Sequence, residues 1–231
     1  MQLPLFYVVG EWAETLCEVV LLICSYIFCL RRSAPKYMRS FPVYATVNII
    51  PTCIYFAFHK TWHIIYFLFT IFEILYFTYF LSSILRVRTA KIVLWVLSGA
   101  CLTGAILFIA MRPFHSSILF PLDDVSIIAE STIMLVGCAE YIREIMTKPN
   151  IPVLPREAAF WMVCGIFCYF LTLAPAVAFR VYSAVHKLPG TAAIVWSFND
   201  YSQLVSCTFY IIGMTQIRRL QKNYPSSKPI L

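Results

Sequence analysis

The chain has 231 residues, of which 61% are hydrophobic and 13% charged, with a net charge of +7 and a mean hydropathy of +0.78. A water-soluble domain averages roughly 45–50% apolar and about 25% charged residues, so too little polar material is present to cover a water-facing surface. The positive balance does not point to nucleic acid, because the basic residues sit in short connectors between apolar runs, where membrane topology accounts for them first.

A membrane-crossing helix needs about 20 mostly apolar residues. Seven stretches answer to that, at about 6–30, 42–58, 63–85, 91–111, 122–143, 158–183 and 191–217. The expected architecture is therefore all-α: one polytopic membrane domain of seven transmembrane helices over 1–231, closing in a short tail, 218–231. The opening MQLPLFYVV has no basic leader and no small-residue cleavage site, so it reads as the start of the first span rather than a removable signal. All but Lys60, Arg112, Arg180 and Lys187 of the 18 basic residues fall in the tail and in the connectors after the first, third and fifth spans. The positive-inside rule then places the N-terminus outside and the C-terminus in the cytoplasm.

The first span carries Glu11, Glu14 and Glu18, which at spacings of three and four share one helical face. An ionisable group at mid-bilayer costs roughly 2.5–3.5 kcal/mol even on the lenient scale, so this stripe should turn inward, toward the third, fifth and seventh spans. The second span holds Asn48 and Pro51, and the third holds Glu73 inside the aromatic run IIYFLFTIFEILYFTYF, most of whose rings are expected to face lipid. In the fourth span, SGACLTGA sets Ala100 and Gly104 four apart, a spacing suited to close helix packing. Glu130 lies in the fifth span, Pro149, Pro152 and Pro155 break the chain after it, and Pro175 interrupts the sixth. Arg180 closes the sixth span, and Asn199 and Asp200 lie in the outer half of the seventh.

Glu14, Glu18, Glu73, Glu130, Asn199 and Asp200, with Arg180 as the one basic neighbour at membrane depth, form the candidate ligand-binding set. Their charges sum to a negative total, so some carboxyls must carry a proton or share a cation. An outward-opening polar pocket for a small molecule or cation is expected, and hydrogen-bonding that merely ties helices together is the plainer alternative. His59 and His63, His115 and His186 all map to the outer side, where zinc binding and pH sensing compete with simple interface placement. No resident metal, cofactor or catalytic residue is expected. The nine cysteines lie inside apolar runs, which argues for packing rather than disulfides.

Pro51 against Pro175, Glu11 against Glu130 and Glu73 against Asn199 recur at similar offsets, a pattern that fits three spans, a linking span and three more. Phosphate loops, nucleophile elbows and kinase signatures are absent, and the seventh span has no lysine to hold a retinal Schiff base.

The segment PREAAFWMVCGIFCYF, Pro155 to Phe170, and the run FEILYF, Phe72 to Phe77, resemble parts of bacterial seven-helix proteins similar to the sensor regions found ahead of histidine kinase domains. That resemblance implies a free-standing sensor or accessory component in a bacterial inner membrane, passing its signal to a separate cytoplasmic or membrane protein. The helix layout also resembles sugar-transporting SWEET proteins, which would imply a small-solute transporter. A metal-dependent hydrolase resembling the seven-helix ceramidase and adiponectin-receptor superfamily is disfavoured, since that family places a histidine pair on its last helix and HKTWH lies between the second and third spans here.

Overall fold

The computed structural model describes residues 5–30, 34–58, 63–111, 120–147, 157–186 and 189–223. They form α1 (Leu5–Cys29), α2 (Lys36–Arg39), α3 (Phe41–Phe58), α4 (His63–Ile84), α5 (Arg88–Met111), α6 (Phe120–Thr147), α7 (Ala158–Val185) and α8 (Pro189–Asn223). His59, His115, the three prolines between α6 and α7, and the tail beyond Asn223 lie outside the described residues.

The seven long helices coincide with the seven apolar stretches to within a few residues. The largest difference is α8, which continues to Asn223 through RRLQKN, where straight-chain arginine, leucine, glutamine and lysine favour a helix over an extended tail. Both α3 and α7 run through their internal prolines, with Pro51 buried and Pro175 exposed.

Five helices are long and apolar enough to cross a membrane by length and composition: Trp12–Cys29, Phe67–Ile84, Arg88–Leu107, Val125–Thr147 and Ala158–Ser183. Their outward faces are apolar, as at Leu16 and Val96, which are 66% and 63% exposed, while several acids are enclosed. A soluble fold would have this distribution reversed. These are the features of a polytopic integral membrane protein.

Helices α1, α3, α4, α6, α7 and α8 pack in a closed ring, with α8 returning to lie against α1, and α5 stands outside this ring against α4 and α6. Lipid tails are as apolar as leucine, so such helices associate through close packing and interhelical hydrogen bonds rather than hydrophobic burial. The tightest approach joins α7 to α8, where a Cβ added at Gly165 would lie 3.0 Å from the Ser206 carbonyl and one at Gly213 would lie 3.0 Å from that of Ala158. The stripe in SGACLTGA plays no such part. Gly99, Ala100 and Gly104 are exposed, and a Cβ at Gly99 or Gly104 would meet nothing within 4 Å, because α5 turns Leu94 and Ser98 to its neighbours instead. The Ser98 and Thr78 hydroxyls, 2.6 Å apart, tie α5 to α4.

The aromatic run around Glu73 is also placed differently from expectation. Tyr76, Phe77 and Phe80 are buried, and of the rings that follow Glu73 it is Tyr79 that faces outward. Tyr44 of α3 stacks on Tyr76 with centroids 4.7 Å apart, and Phe77 meets Phe170 of α7 edge-on at 5.5 Å. Aromatic pairs at these separations favour offset and edge-to-face geometries, and they fill the ring's interior beside the acids.

Candidate functional site

The acids are held by three different arrangements. Glu18 is 5% exposed, and both its oxygens are answered from α3: Asn48 Nδ2 donates to Oε1 at 2.9 Å and Thr52 Oγ1 donates to Oε2 at 3.0 Å. Asn48 and Thr52 stand one turn apart on α3, which is why one carboxylate can take both donors. Glu18 therefore looks to α3, the second long helix, which ring closure makes a neighbour of α1, while Glu14 comes within electrostatic reach of Tyr169 on α7.

Glu73 is buried on α4 and accepts a 3.1 Å hydrogen bond from the Tyr44 hydroxyl. Glu130, only 1% exposed on α6, lies within electrostatic reach of Glu73, and its Oε1 has no hydrogen-bond partner among the described residues. Tyr169 of α7 is within reach of Glu73, Glu130 and Glu14, and Tyr210 of α8 is within reach of Glu73 with its hydroxyl unpartnered. Glu14 is half-buried. Five helices, α3, α4, α6, α7 and α8, thus bring one oxygen-rich cluster together around Glu73 and Glu130, with α1 reaching it through Glu14.

Asp200 and Asn199 are both buried on α8. Asp200 Oδ2 sits against α1, 3.5 Å from where a Cβ on Gly10 would lie, and Asn199 Oδ1 is unpartnered. Between this pair and Glu18, the Cys17 and Cys207 thiols meet across α1 and α8, with Cys207 in reach of Glu18 and Glu14. Arg180 is half-buried on α7, 11 residues beyond Tyr169 and so about 16 Å further along the axis at about 1.5 Å per residue. Its place in the chain sets it well apart from the Glu73–Glu130 pair.

Sequence reasoning left out Tyr44, Tyr169, Tyr210 and Cys207. Their signal is periodic: Tyr44 precedes Asn48 by four, and Cys207 precedes Tyr210 by three, so each extends a face already marked by polar residues. It also left out Glu144, on α6 about 21 Å from Glu130 at about 1.5 Å per residue. Glu144 accepts the backbone N–H groups of Arg86 at 2.8 Å and Val87 at 2.9 Å, pinning the α4–α5 turn. A cleft of about 210 Å³ opens at that end of the bundle, away from the acid cluster.

Replacing Asn48 by alanine is expected to leave Glu18 Oε1 without its donor. An unsatisfied buried charged group costs at least about 1–3 kcal/mol, so the unfolding midpoint in detergent should fall for Asn48→Ala and recover in part when Glu18→Gln removes the charge. Comparison with known protein families, with curated proteins and with solved structures finds no match for this chain.

Proposed function

We propose that the chain is a seven-span protein of a bacterial inner membrane, N-terminus outside and cytoplasmic C-terminus, that acts as a sensor or accessory signalling component. Its input is a small ligand or cation at the Glu73–Glu130 cluster, reached from the outer side, and its output passes to a separate signalling partner at the basic cytoplasmic connectors. The observation that carries this reading is Glu130 Oε1, enclosed within electrostatic reach of Glu73 and without a donor among the described residues. Two buried carboxyls within electrostatic reach of each other in a medium of low dielectric do not both hold a charge unaided. A proton or a cation must be shared between them, and gaining or losing it changes which helix arrangement is favoured.

The transporter reading rests on a separate observation. Helix α5 lies outside the ring against α4 and α6, the place of a linking helix between two groups of three. Purified protein in sealed liposomes distinguishes the two. For a sensor, sodium ions or a pH step applied outside alter hydrogen exchange in the α4–α5 turn without net sodium or proton uptake, and Glu130→Gln shifts the midpoint of that response at least tenfold. Uptake abolished by Glu130→Gln would establish transport instead. Neither response would leave the cluster as structural glue and remove both readings.

A further inference from the structure

The second polar concentration in the molecule is the cleft of about 210 Å³ where α4 turns into α5 and α7 begins. Its lining includes Tyr37, Arg86, Tyr141, Glu144 and Glu157. Glu144 is spent, since each of its oxygens holds a backbone N–H of the turn. That grip fixes the Arg86 backbone at the cleft, which Glu157 also lines from the start of α7. Among the described residues neither enters an ion pair, although both face the same space. Tyr141 lies in electrostatic reach of both, is 5% exposed, and its hydroxyl is without a partner. Tyr37 is braced edge-on against Phe80 at 5.6 Å, and its phenol is pushed up to about 12 by burial and the nearby Glu157 carboxylate, so it remains a donor at neutral pH.

An exposed cation and a half-buried anion lining one cleft, with an unanswered hydroxyl in electrostatic reach of both, suit a molecule with the opposite dipole. Depth narrows the choice. The candidate span on α4 ends at Ile84, that on α5 begins at Arg88 and that on α7 begins at Ala158, and Ile84, Arg86 and Ala159 all line the cleft. It therefore sits at the level of the lipid headgroups. At about 30 Å³ per water the space equals roughly seven waters, below the about 300–1,000 Å³ of a site for larger organic ligands.

We propose that this cleft binds an ammonium–phosphate zwitterion, the phosphoethanolamine group, either as a lipid headgroup or as the free molecule. The phosphate lies on the Arg86 guanidinium, whose planar donors suit phosphate oxygens. The ammonium lies on Glu157, and Tyr141 donates to the phosphate. This site is independent of the Glu73–Glu130 cluster and stands if that reading fails.

The test uses the full chain, purified in detergent and stripped of lipid, with phosphatidylethanolamine, phosphatidylglycerol, phosphatidylcholine or soluble phosphoethanolamine added back. Retention is read by native mass spectrometry and binding by the shift in unfolding midpoint. Phosphatidylethanolamine is expected to bind at least tenfold more tightly than phosphatidylglycerol, which has no ammonium, and than phosphatidylcholine, whose ammonium cannot donate. Glu157→Gln should reduce that preference to about onefold, whereas Arg86→Gln, which removes the phosphate contact common to all three lipids, should weaken each of them at least tenfold. Soluble phosphoethanolamine binding as tightly as the lipid identifies the free molecule as ligand, and binding of the lipid alone identifies the headgroup; both support the site. Equal binding of the three lipids, a preference unchanged in Glu157→Gln, or affinities unchanged in Arg86→Gln overturns it. Should a variant fail to fold, the wild-type preference among the three lipids decides the matter.

Discussion

Gly165→Ala is expected to destabilise the protein by about 2 kcal/mol, measured as a lowered unfolding midpoint in detergent. An alanine inside a helix normally gains about 1 kcal/mol over glycine from backbone entropy, so the sign here depends on the neighbours. The new Cβ would lie 2.4 Å from Cε1 and 2.7 Å from Cδ1 of Tyr210, and 3.0 Å from the Ser206 carbonyl oxygen. Tyr210 is buried and meets Phe41 with ring centroids 5.5 Å apart, so its ring has no empty space to swing into, and the carbonyl belongs to the α8 backbone. Helices α7 and α8 must separate, and overpacking of that kind costs typically about 1–3 kcal/mol. Gly99→Ala supplies the control. Open space surrounds it, so only the propensity gain remains and the midpoint should hold or rise. Equal behaviour of the two variants would show that α7 and α8 are not in contact at Gly165.

Glu144→Ala is expected to cost about 3 kcal/mol, with its effect centred on the α4–α5 turn. Two charge-assisted hydrogen bonds disappear together, at about 1.5–3 kcal/mol each, and the open cleft beside them lets water recover part of the loss. Glu144→Gln is the informative comparison. Its amide oxygen can accept one of the Arg86 and Val87 N–H groups, but its NH₂ then faces the other donor. Glutamine should therefore retain less than half of the wild-type stabilisation, although it matches glutamate in shape. Hydrogen exchange at the Arg86 and Val87 amides checks this directly. Unchanged protection in Glu144→Ala would mean that the turn holds itself.

Helix number and position were readable from the sequence because uninterrupted apolar runs have a length set by the bilayer. Inward placement was readable for the same reason: a carboxyl such as Glu18 or Glu130 is too costly in lipid to face outward. Neighbour relations were not readable. Hydropathy says that Glu18 must find a donor but does not say which helix supplies it, and the answer, Asn48 and Thr52 of α3, follows from ring closure. The same gap explains the small-residue stripes. Gly104 follows Ala100 in a small-residue stripe while Gly165 stands between Trp161 and Tyr169 at the same spacing, yet the position of α5 outside the ring leaves the first bare and α8 crowds the second. The cleft beside the α4–α5 turn was illegible because Tyr37, Arg86, Tyr141 and Glu157 come from four separate segments, none with a patterned spacing.

The seam between α1 and α8 sets an order of assembly. A chain delivered from its N-terminus has α1, α3 and α4 available before α8 has been made, so Glu18 meets Asn48 and Thr52, and Glu73 meets Tyr44, within a half-built bundle. Those two acids are chaperoned by the segment next to them in the chain. Asp200 reaches its place beside Gly10 only when α8 docks on α1, so the contact that closes the ring of helices forms after those of Glu18 and Glu73.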